Sequence, residues 1–309
     1  MAAETNQANM TINNPSIYIV GPTGAGKSDL ALTLAQKHHG VIINFDSVQF
    51  YKGLQIGSAA PTETEKKTVP HYLYSYVPAP KEMTAGEFLR DLKELLPEIK
   101  NNQPLFFVGG TGFYQQALEK GMYDVPEIAL EIKQTILDEF KNGGHEHLWA
   151  ELNSFDPQHG LHSNDHYRIG RALELKRAFN LKASDIKQNQ QKKIVDVTRF
   201  LKVGVDLDKD ILKKRIEARA QKMLASGLIE ETEFFLKQGF SEWAPLNSVG
   251  YKETKDYLQG RLSKENLAAE IAASTNKLIK KQRTWFKRDE AVLWSKGSDL
   301  QSEVAKFLL

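Results

Sequence analysis

Residues 17–30 read IYIVGPTGAGKSDL, a run of apolar residues, a turn with three glycines and the first turn of a helix. The turn fits G-x-x-x-x-G-K-[ST], with Gly21, Gly26, Lys27 and Ser28 at the fixed places. The physics of such a loop is direct. Glycines allow a tight backbone turn, successive N–H groups converge on phosphate oxygens, and the helix N-terminus adds favourable partial charge. Gly21, Pro22, Thr23, Gly24, Ala25, Gly26, Lys27 and Ser28 are therefore the candidate phosphate-binding residues. Lys27 would neutralise the anion and the Ser28 hydroxyl would ligate Mg²⁺.

Outward from this loop, short apolar runs recur at Ile17–Val20, Val41–Phe45, Leu105–Val108, Leu201–Val205 and Ala291–Trp294. Helical patterns lie between them, at 27–38, 84–100, 112–120, 208–223, 228–237 and 264–287. Thr84 and Glu87 have the spacing of a capping box, which places a helix start there. Strands alternating with helices predict an α/β fold, a P-loop-type, mostly parallel sheet flanked by helices. Between 121 and 198 the strand signal fades, and helices are expected at 126–141, 145–153 and 164–180, followed by a polar connector at 185–193. The expected organisation is a disordered tail at 1–15, an α/β core at 16–120 and 199–309, and a helical insertion domain at 121–198.

A phosphate loop does not identify the molecule whose phosphates it holds. Nucleotide hydrolysis normally adds an apolar strand ending in an acid for Mg²⁺ and a residue that orients water. The best candidate acid is Asp46 in VIINFDSVQFY, whereas the strand at 105–108 runs into Gly109-Gly110-Thr111-Gly112 with no acid. Asp46 and Thr111 both fall at carboxyl ends of predicted parallel strands, where open α/β sheets bind ligands. An aspartate there is a candidate general base, and its alternative is a turn or helix cap.

Composition narrows the partners. The 309 residues include no cysteine, which excludes disulfides and every thiolate metal site. No apolar run approaches the ~20 residues a membrane helix needs, and the polar N-terminus lacks a secretory pattern. A chain without a membrane span, in the cytoplasm, is the expectation. The net charge of +2 is segregated: 166–202 holds ten Lys/Arg against three acids, 275–288 holds six against none, and the remainder is left with −11. Segregation of that size points to a polyanionic partner, with two solvated helix faces as the alternative.

The chain resembles the bacterial tRNA dimethylallyltransferases, also called tRNA isopentenyltransferases. The matching blocks appear in family order: GPTGAGKS (21–28), NFDSVQFYKGLQIGSA (44–59), PHYL (70–73), VGGTGFY (108–114), NDHYRIGRALE (164–174), KRIEARAQKMLASGLIEE (214–231), VGYKE (249–253) and TNKLIKKQRTWFKRD (275–289). The resemblance implies transfer of the isopentenyl group of dimethylallyl diphosphate to N6 of the adenosine just 3′ of the anticodon, at tRNA position 37. The loop would then hold a diphosphate, Mg²⁺ would be the cofactor, and the anticodon stem-loop the partner of a monomer.

By position, the resemblance implies that Asp46 accepts the proton of the attacking amine, and that Lys27, Ser28 with Mg²⁺, and Arg219 stabilise the leaving diphosphate. Thr23 would lie by the diphosphate and Thr111 by the reacting base. The family's tRNA-contact positions correspond to Asp46, Ser47, Val48, Gln49, Thr111, Lys133, Tyr167, Arg168, Ile169, Gly170, Arg171, Asn247, Ser248, Val249, Gly250, Tyr251 and Lys252. A last group comprises Lys280, Lys281, Gln282, Arg283, Thr284, Trp285, Phe286 and Lys287. On a helix, Lys277, Lys280, Lys281, Thr284 and Arg288 share one face, with Leu278, Ile279 and Trp285 expected toward the core. Asn247 stands where the family often has Arg, Ala25 where Ser is usual in the loop, and Lys252 and Lys281 where Arg is frequent. Arg-to-Lys changes keep charge but lose bidentate geometry.

Three other readings stay open at this level: a kinase of the same fold with ATP in the loop, an adenylate isopentenyltransferase acting on free AMP, ADP or ATP, and a non-catalytic RNA-binding protein. His159, His162 and His166 recur but straddle a loop and a helix start without a partner Cys, so solvated or RNA-facing roles are expected over metal binding.

Overall fold

The computed structural model describes residues 10–122, 128–188, 193–295 and 297–309. The chain divides into two compact units, Met1–Glu119 with Ile194–Leu309, and Lys120–Lys193. In chain order the first unit holds β1 (Met10–Ile12), β2 (Ser16–Val20), α1 (Lys27–Lys37), β3 (Val41–Asn44), α2 (Glu63–Thr68), β4 (His71–Tyr72), α3 (Ala85–Leu95), β5 (Leu105–Val108) and α4 (Gly112–Lys120). The second unit holds α5 (Leu130–Lys141), α6 (His145–Phe155), α7 (His166–Phe179) and α8 (Ala183–Gln188). The first then resumes with β6 (Val195–Val197), β7 (Phe200–Gly204), α9 (Lys209–Ala225), α10 (Leu228–Lys237), α11 (Tyr251–Leu258), α12 (Lys264–Phe286), β8 (Val292–Trp294) and α13 (Gly297–Leu308).

A six-stranded sheet runs in the order β4-β3-β5-β2-β7-β8, every neighbouring pair parallel. Strands β2, β3 and β5 are buried along their whole length, as a sheet covered by helices on both faces requires. On one face Leu30, Ala31, Leu34 and Ala35 of α1 and Leu300 and Val304 of α13 close over Ile17, Ile19, Ile42, Phe106 and Val203. Each fully buried aliphatic side chain contributes about 1.5–3 kcal/mol. Lys202, buried on β7, is answered by Glu119 and Asp289, each at 2.7 Å. Register pairs Ile19 with Val108, Asn44 with Val108 and Val20 with Gly204, so the carboxyl ends of β3, β5, β2 and β7 lie level.

The second unit packs Ile136, Leu148, Leu152, Ile169, Ala172 and Leu173 into its own core. Arg177 braces it, donating to Glu139 at 2.6 and 2.9 Å and to Glu151 at 2.6 Å. The hydrogen bonds from Arg177, with Lys176 adding to them, hold the Glu151 carboxyl down at about 2.

Several expectations need correction. Residues 10–12, placed in a disordered tail, form β1 and pair in parallel with β6; residues 1–9 lie outside the described ones. The helix expected over 84–100 ends at Leu95 and passes into a 3₁₀ turn at Leu96–Glu98, because Pro97 cannot supply the next backbone donor. Of the helix expected from 126, residues 126 and 127 lie outside the described ones, and the helix starts at Leu130. Part of the connector expected at 185–193 is the end of α8, and residues 189–192 lie outside the described ones. Helices α2, α11 and α13 and strand β4 carried no readable pattern. Helix α2 buries no residue, so it has no apolar period, although Thr62 and Glu65 make a full capping box.

Candidate active site

The candidate phosphate loop bends between β2 and α1 at Gly21, where φ is +136° and a Cβ would lie 2.1 Å from the Val205 carbonyl oxygen. Only glycine fits that approach. Lys27, the first residue of α1, folds back to donate to the Pro22 carbonyl at 3.0 Å. Burial lowers its ammonium from 10.5 to about 8; Asp46 opposes that shift and Arg219 adds to it. Burial likewise lowers the Arg219 guanidinium, against the pull of Asp46. Lys27, Arg219 and Asp46 thus share one electrostatic neighbourhood.

Asp46 follows β3 on a fixed turn. The buried Asn44 accepts the Asp46 N–H at 2.8 Å through Oδ1 and donates through Nδ2 to the Leu73 carbonyl at 2.9 Å. Leu73 itself sits at φ +61°, and Ala59 and Ser75 at +50°. Non-glycine residues in that region store strain of order 1 kcal/mol each, and such strain clusters at functional sites. The Asp46 carboxylate accepts the Val48 N–H at 3.1 Å and the Gly110 N–H at 3.3 Å. Thr111 Oγ1 accepts the Ser47 N–H at 3.1 Å and donates to Ser47 Oγ at 3.1 Å. The Asp46 turn and the Gly109–Gly112 turn are therefore one hydrogen-bonded block.

Helix α12 supplies the third wall. Gln282, 6% exposed, accepts the Thr23 N–H at 2.8 Å and the Thr23 hydroxyl at 3.2 Å, and donates to the Gly110 carbonyl at 3.0 Å. Arg283 pairs with Asp206, just past β7, at 2.7 Å. A Cβ on Gly112 would fall 2.0 Å from Trp285 Nε1, so that glycine lets α12 approach. Lys277, Lys280, Lys281, Thr284 and Arg288 form the exposed stripe predicted for this helix. Trp285 does not join the core. It is 43% exposed and lines an open concavity of about 300 Å³ with Lys280, Lys281, Thr284 and Arg288. The inward side chains are Ile279, Gln282 and Phe286.

The other residues expected to touch RNA fall into two sets. Exposed or half-exposed are Ser47, Val48, Gln49, Lys133, Tyr167, Arg168, Arg171, Asn247, Ser248, Val249, Lys252 and Lys287. Tyr167 is 83% exposed, Arg168 pairs with Asp165 at 3.4 Å, and Arg171 pairs with Glu174. Asn247 accepts from Lys255 at 2.7 Å, so the carbonyl end of its amide is occupied within its own loop. Gln49 donates to the Ser58 and Ala59 carbonyls at 3.0 Å, holding a loop. Interior instead are Ile169, Gly170, Gly250, Tyr251, Gln282 and Phe286. Ile169 and Gly170 face Phe140 and Ile136 on the core side of α7. Tyr251 is fully buried and donates to Glu231 at 2.5 Å, and Glu231 also caps the Gln55, Ile56 and Gly57 amides. Burial, with Glu231 beside it, pushes the Tyr251 hydroxyl well above its ordinary range. Its ring holds a turn in place and presents no face for stacking.

Sequence reasoning missed Asn44, whose signal was an Asn two residues before the aspartate in a turn-forming pattern. It also missed the inward role of Gln282, which helical periodicity alone places among the core positions with Ile279 and Phe286. For a metal, Ser28 at the start of α1 presents an exposed hydroxyl beside the loop amides, the hard oxygen donor that Mg²⁺ takes alongside substrate phosphates. Among the described residues no group of three or more His, Asp or Glu is placed to hold a metal ion. His159 is occupied by Asn153 at 3.0 Å and by the Leu161 N–H at 2.8 Å. Among the described residues no helix is long and apolar enough to cross a membrane.

Comparison with known proteins gives a consistent set. A family model described as IPP transferase matches residues 49–289. The tRNA dimethylallyltransferase of Bdellovibrio bacteriovorus is 46% identical, over 94% of this chain and 97% of that protein. The crystal structure of the full-length tRNA isopentenylpyrophosphate transferase of Bacillus halodurans superposes with a TM-score of 0.69 at 26% identity, covering 96% of this chain and 97% of the other. A eukaryotic dimethylallyltransferase acting on tRNA shares the fold, with a TM-score of 0.75 at 24% identity over 93% of this chain and 75% of its own.

Proposed function

The chain belongs to the IPP transferase family, and from that membership together with the strand-end geometry we propose that it transfers the dimethylallyl group of dimethylallyl diphosphate to N6 of adenosine 37 of tRNA. One observation carries the chemistry: the phosphate loop, the Thr111 turn and Asp46 follow the adjacent strands β2, β5 and β3. Two strand spacings, about 10 Å, separate the loop from Asp46. That span suits a diphosphate on one side, a flipped-out base on the other, and an allylic carbon between. The middle turn is glycine, where a Cβ on Gly110 would come 3.3 Å from the Asp46 carboxylate.

In the proposed step, the exocyclic amine attacks C1 of the allyl group, a C–N bond forms, and the C1–O bond to the diphosphate breaks. Asp46 takes the proton from N6; its two backbone donors fix and aim the carboxylate. The electron pair of the broken bond leaves on the diphosphate, where the loop amides, Lys27 and Arg219 meet it. Mg²⁺, held by the Ser28 hydroxyl and the diphosphate itself, would screen that charge. Thr111, fixed through Ser47, borders the base. The exposed stripe of α12 with Trp285, and Tyr167, Arg168 and Arg171 of α7, would hold the anticodon stem-loop by its backbone and its unstacked bases. We take the protein to act as a monomer in the cytoplasm, a location that a tRNA substrate supports.

The test combines unmodified tRNA transcript, dimethylallyl diphosphate and Mg²⁺ without ATP, followed by digestion and mass spectrometry of the nucleosides. An adenosine heavier by one isopentenyl unit, lost in Asp46→Asn, is expected. Prenylation of free AMP or ADP with tRNA unchanged would move the assignment to an adenylate isopentenyltransferase.

A further inference from the structure

We propose that Gln282 is a positioning residue for this reaction, one buried amide that sets the phosphate loop and the Asp46 carboxylate at a fixed separation. The inference rests on the function proposed above. Gln282 falls among the family's RNA-contact positions, yet its side chain is 6% exposed and points away from the basic stripe of its own helix. All its polar atoms are engaged across the site. Oε1 takes the N–H and the hydroxyl of Thr23 in the loop, and Nε2 donates to the Gly110 carbonyl. The Gly110 N–H in turn donates to Asp46 at 3.3 Å. An unbroken run of hydrogen bonds therefore leads from the loop that would hold the leaving group to the carboxylate that would take the proton.

The chemistry of the position is specific. The side chain must accept on one atom and donate on the other, which a primary amide does and neither a carboxylate nor a hydrocarbon does. The surroundings are shaped to it, because a Cβ on Gly110 would stand 2.4 Å from Nε2. Loop backbones are the mobile parts of such sites, and a displacement of about 1 Å can lower a rate by about 10²-fold. Lys280 and Lys281, two and one residues away, face outward, so one turn of α12 serves RNA on one side and the reacting groups on the other.

Two variants separate the roles. Gln282→Met keeps the volume and removes all three bonds; Gln282→Glu keeps the acceptor and sets a charge against the Gly110 carbonyl and the diphosphate. The measurements are inorganic diphosphate binding by calorimetry, kcat and KM for dimethylallyl diphosphate at saturating tRNA, tRNA affinity against salt, and a thermal melt. For Gln282→Met the melt is expected to stay cooperative, diphosphate affinity to fall about 5–30-fold and kcat about 10–100-fold, with the tRNA salt slope unchanged. Gln282→Glu is expected to bind diphosphate more weakly still. Loss of tRNA affinity with a shallower salt slope, while diphosphate binding and kcat hold, would overturn the proposal in favour of a direct RNA contact. Wild-type values throughout in both variants would reduce Gln282 to a filler. A wild-type chain that prenylates no tRNA would end the functional proposal, while diphosphate binding in the two variants still decides this one.

Discussion

The carboxyl edge of the sheet and the exposed face of α7 carry polar side chains in opposite conditions. At the sheet edge Asn44, Asp46 and Gln282 are each held by backbone groups on two segments, and Thr111 is held by the N–H and hydroxyl of Ser47. On α7 Tyr167 is 83% exposed, and Arg168 and Arg171 pair with acids three residues away on or beside the same helix. Exposed pairs of that kind are worth about 0–1 kcal/mol and exchange readily for a phosphate. The contrast fits the proposed division of labour: groups held by several hydrogen bonds would do the chemistry, and groups on long, solvated side chains would find an RNA backbone.

The largest effect that would break this division lies at Asp46. Asp46→Asn is expected to lower the single-turnover rate by about 10²–10⁴-fold, the usual contribution of a general base, while tRNA affinity stays within about threefold. A variant that turns over near the wild-type rate would return Asp46 to the role of a turn residue.

Lys27 gives the next largest effect and a pH signature. In the free site its ammonium is lost as pH rises through about 8, well below the ordinary 10.5. A bound diphosphate favours the charged form, so above pH 8 binding must take up a proton. The KM for dimethylallyl diphosphate is then expected to rise about tenfold per pH unit above 8, and to be flat below it. Lys27→Arg should flatten that rise, since its guanidinium stays charged. A KM without pH dependence in the wild type would show that burial does not hold this lysine down.

The basic stripe sharpens the other side of the comparison. Replacing Lys280 and Lys281 by Ala is expected to reduce the slope of log K against log salt by about 1.4–1.8, at roughly 0.7–0.9 per phosphate contact, and to leave kcat at saturating tRNA unchanged. An unchanged slope would remove both lysines from the phosphate contacts.

How far each region could be read from the sequence follows the same division. The phosphate loop, Asp46 and the outward face of α12 were legible because a fixed motif, a strand end and a helical period each leave a local pattern. Gln282, Asn44 and Glu231 were not, since what they do is set by partners 172, 29 and 175 positions away. Strand β1 was hidden because three residues paired with another short strand show no alternation of their own. Trp285 misled because an aromatic at a helical core period packs inward by default, whereas here Gly112 lets the indole come close to its turn while the side chain stays 43% exposed.

The smallest effect tests the reassignment of Tyr251. A base-stacking tyrosine would lose little RNA affinity on becoming Phe, since the ring remains, but would lose much on becoming Leu. The structure gives Tyr251 a different duty, donating to a Glu231 that also caps three backbone amides at 55–57. Tyr251→Phe leaves one of those acceptor positions unfilled in a buried setting and is expected to destabilise the fold by about 1–2 kcal/mol. Tyr251→Leu should cost more, through the cavity left by a fully buried ring. In both variants the folded fraction should bind tRNA with the wild-type salt slope, read by chemical denaturation alongside filter binding. A loss of affinity in Tyr251→Leu that exceeds its loss of folded protein would place that ring against RNA and redraw the boundary between the two kinds of site.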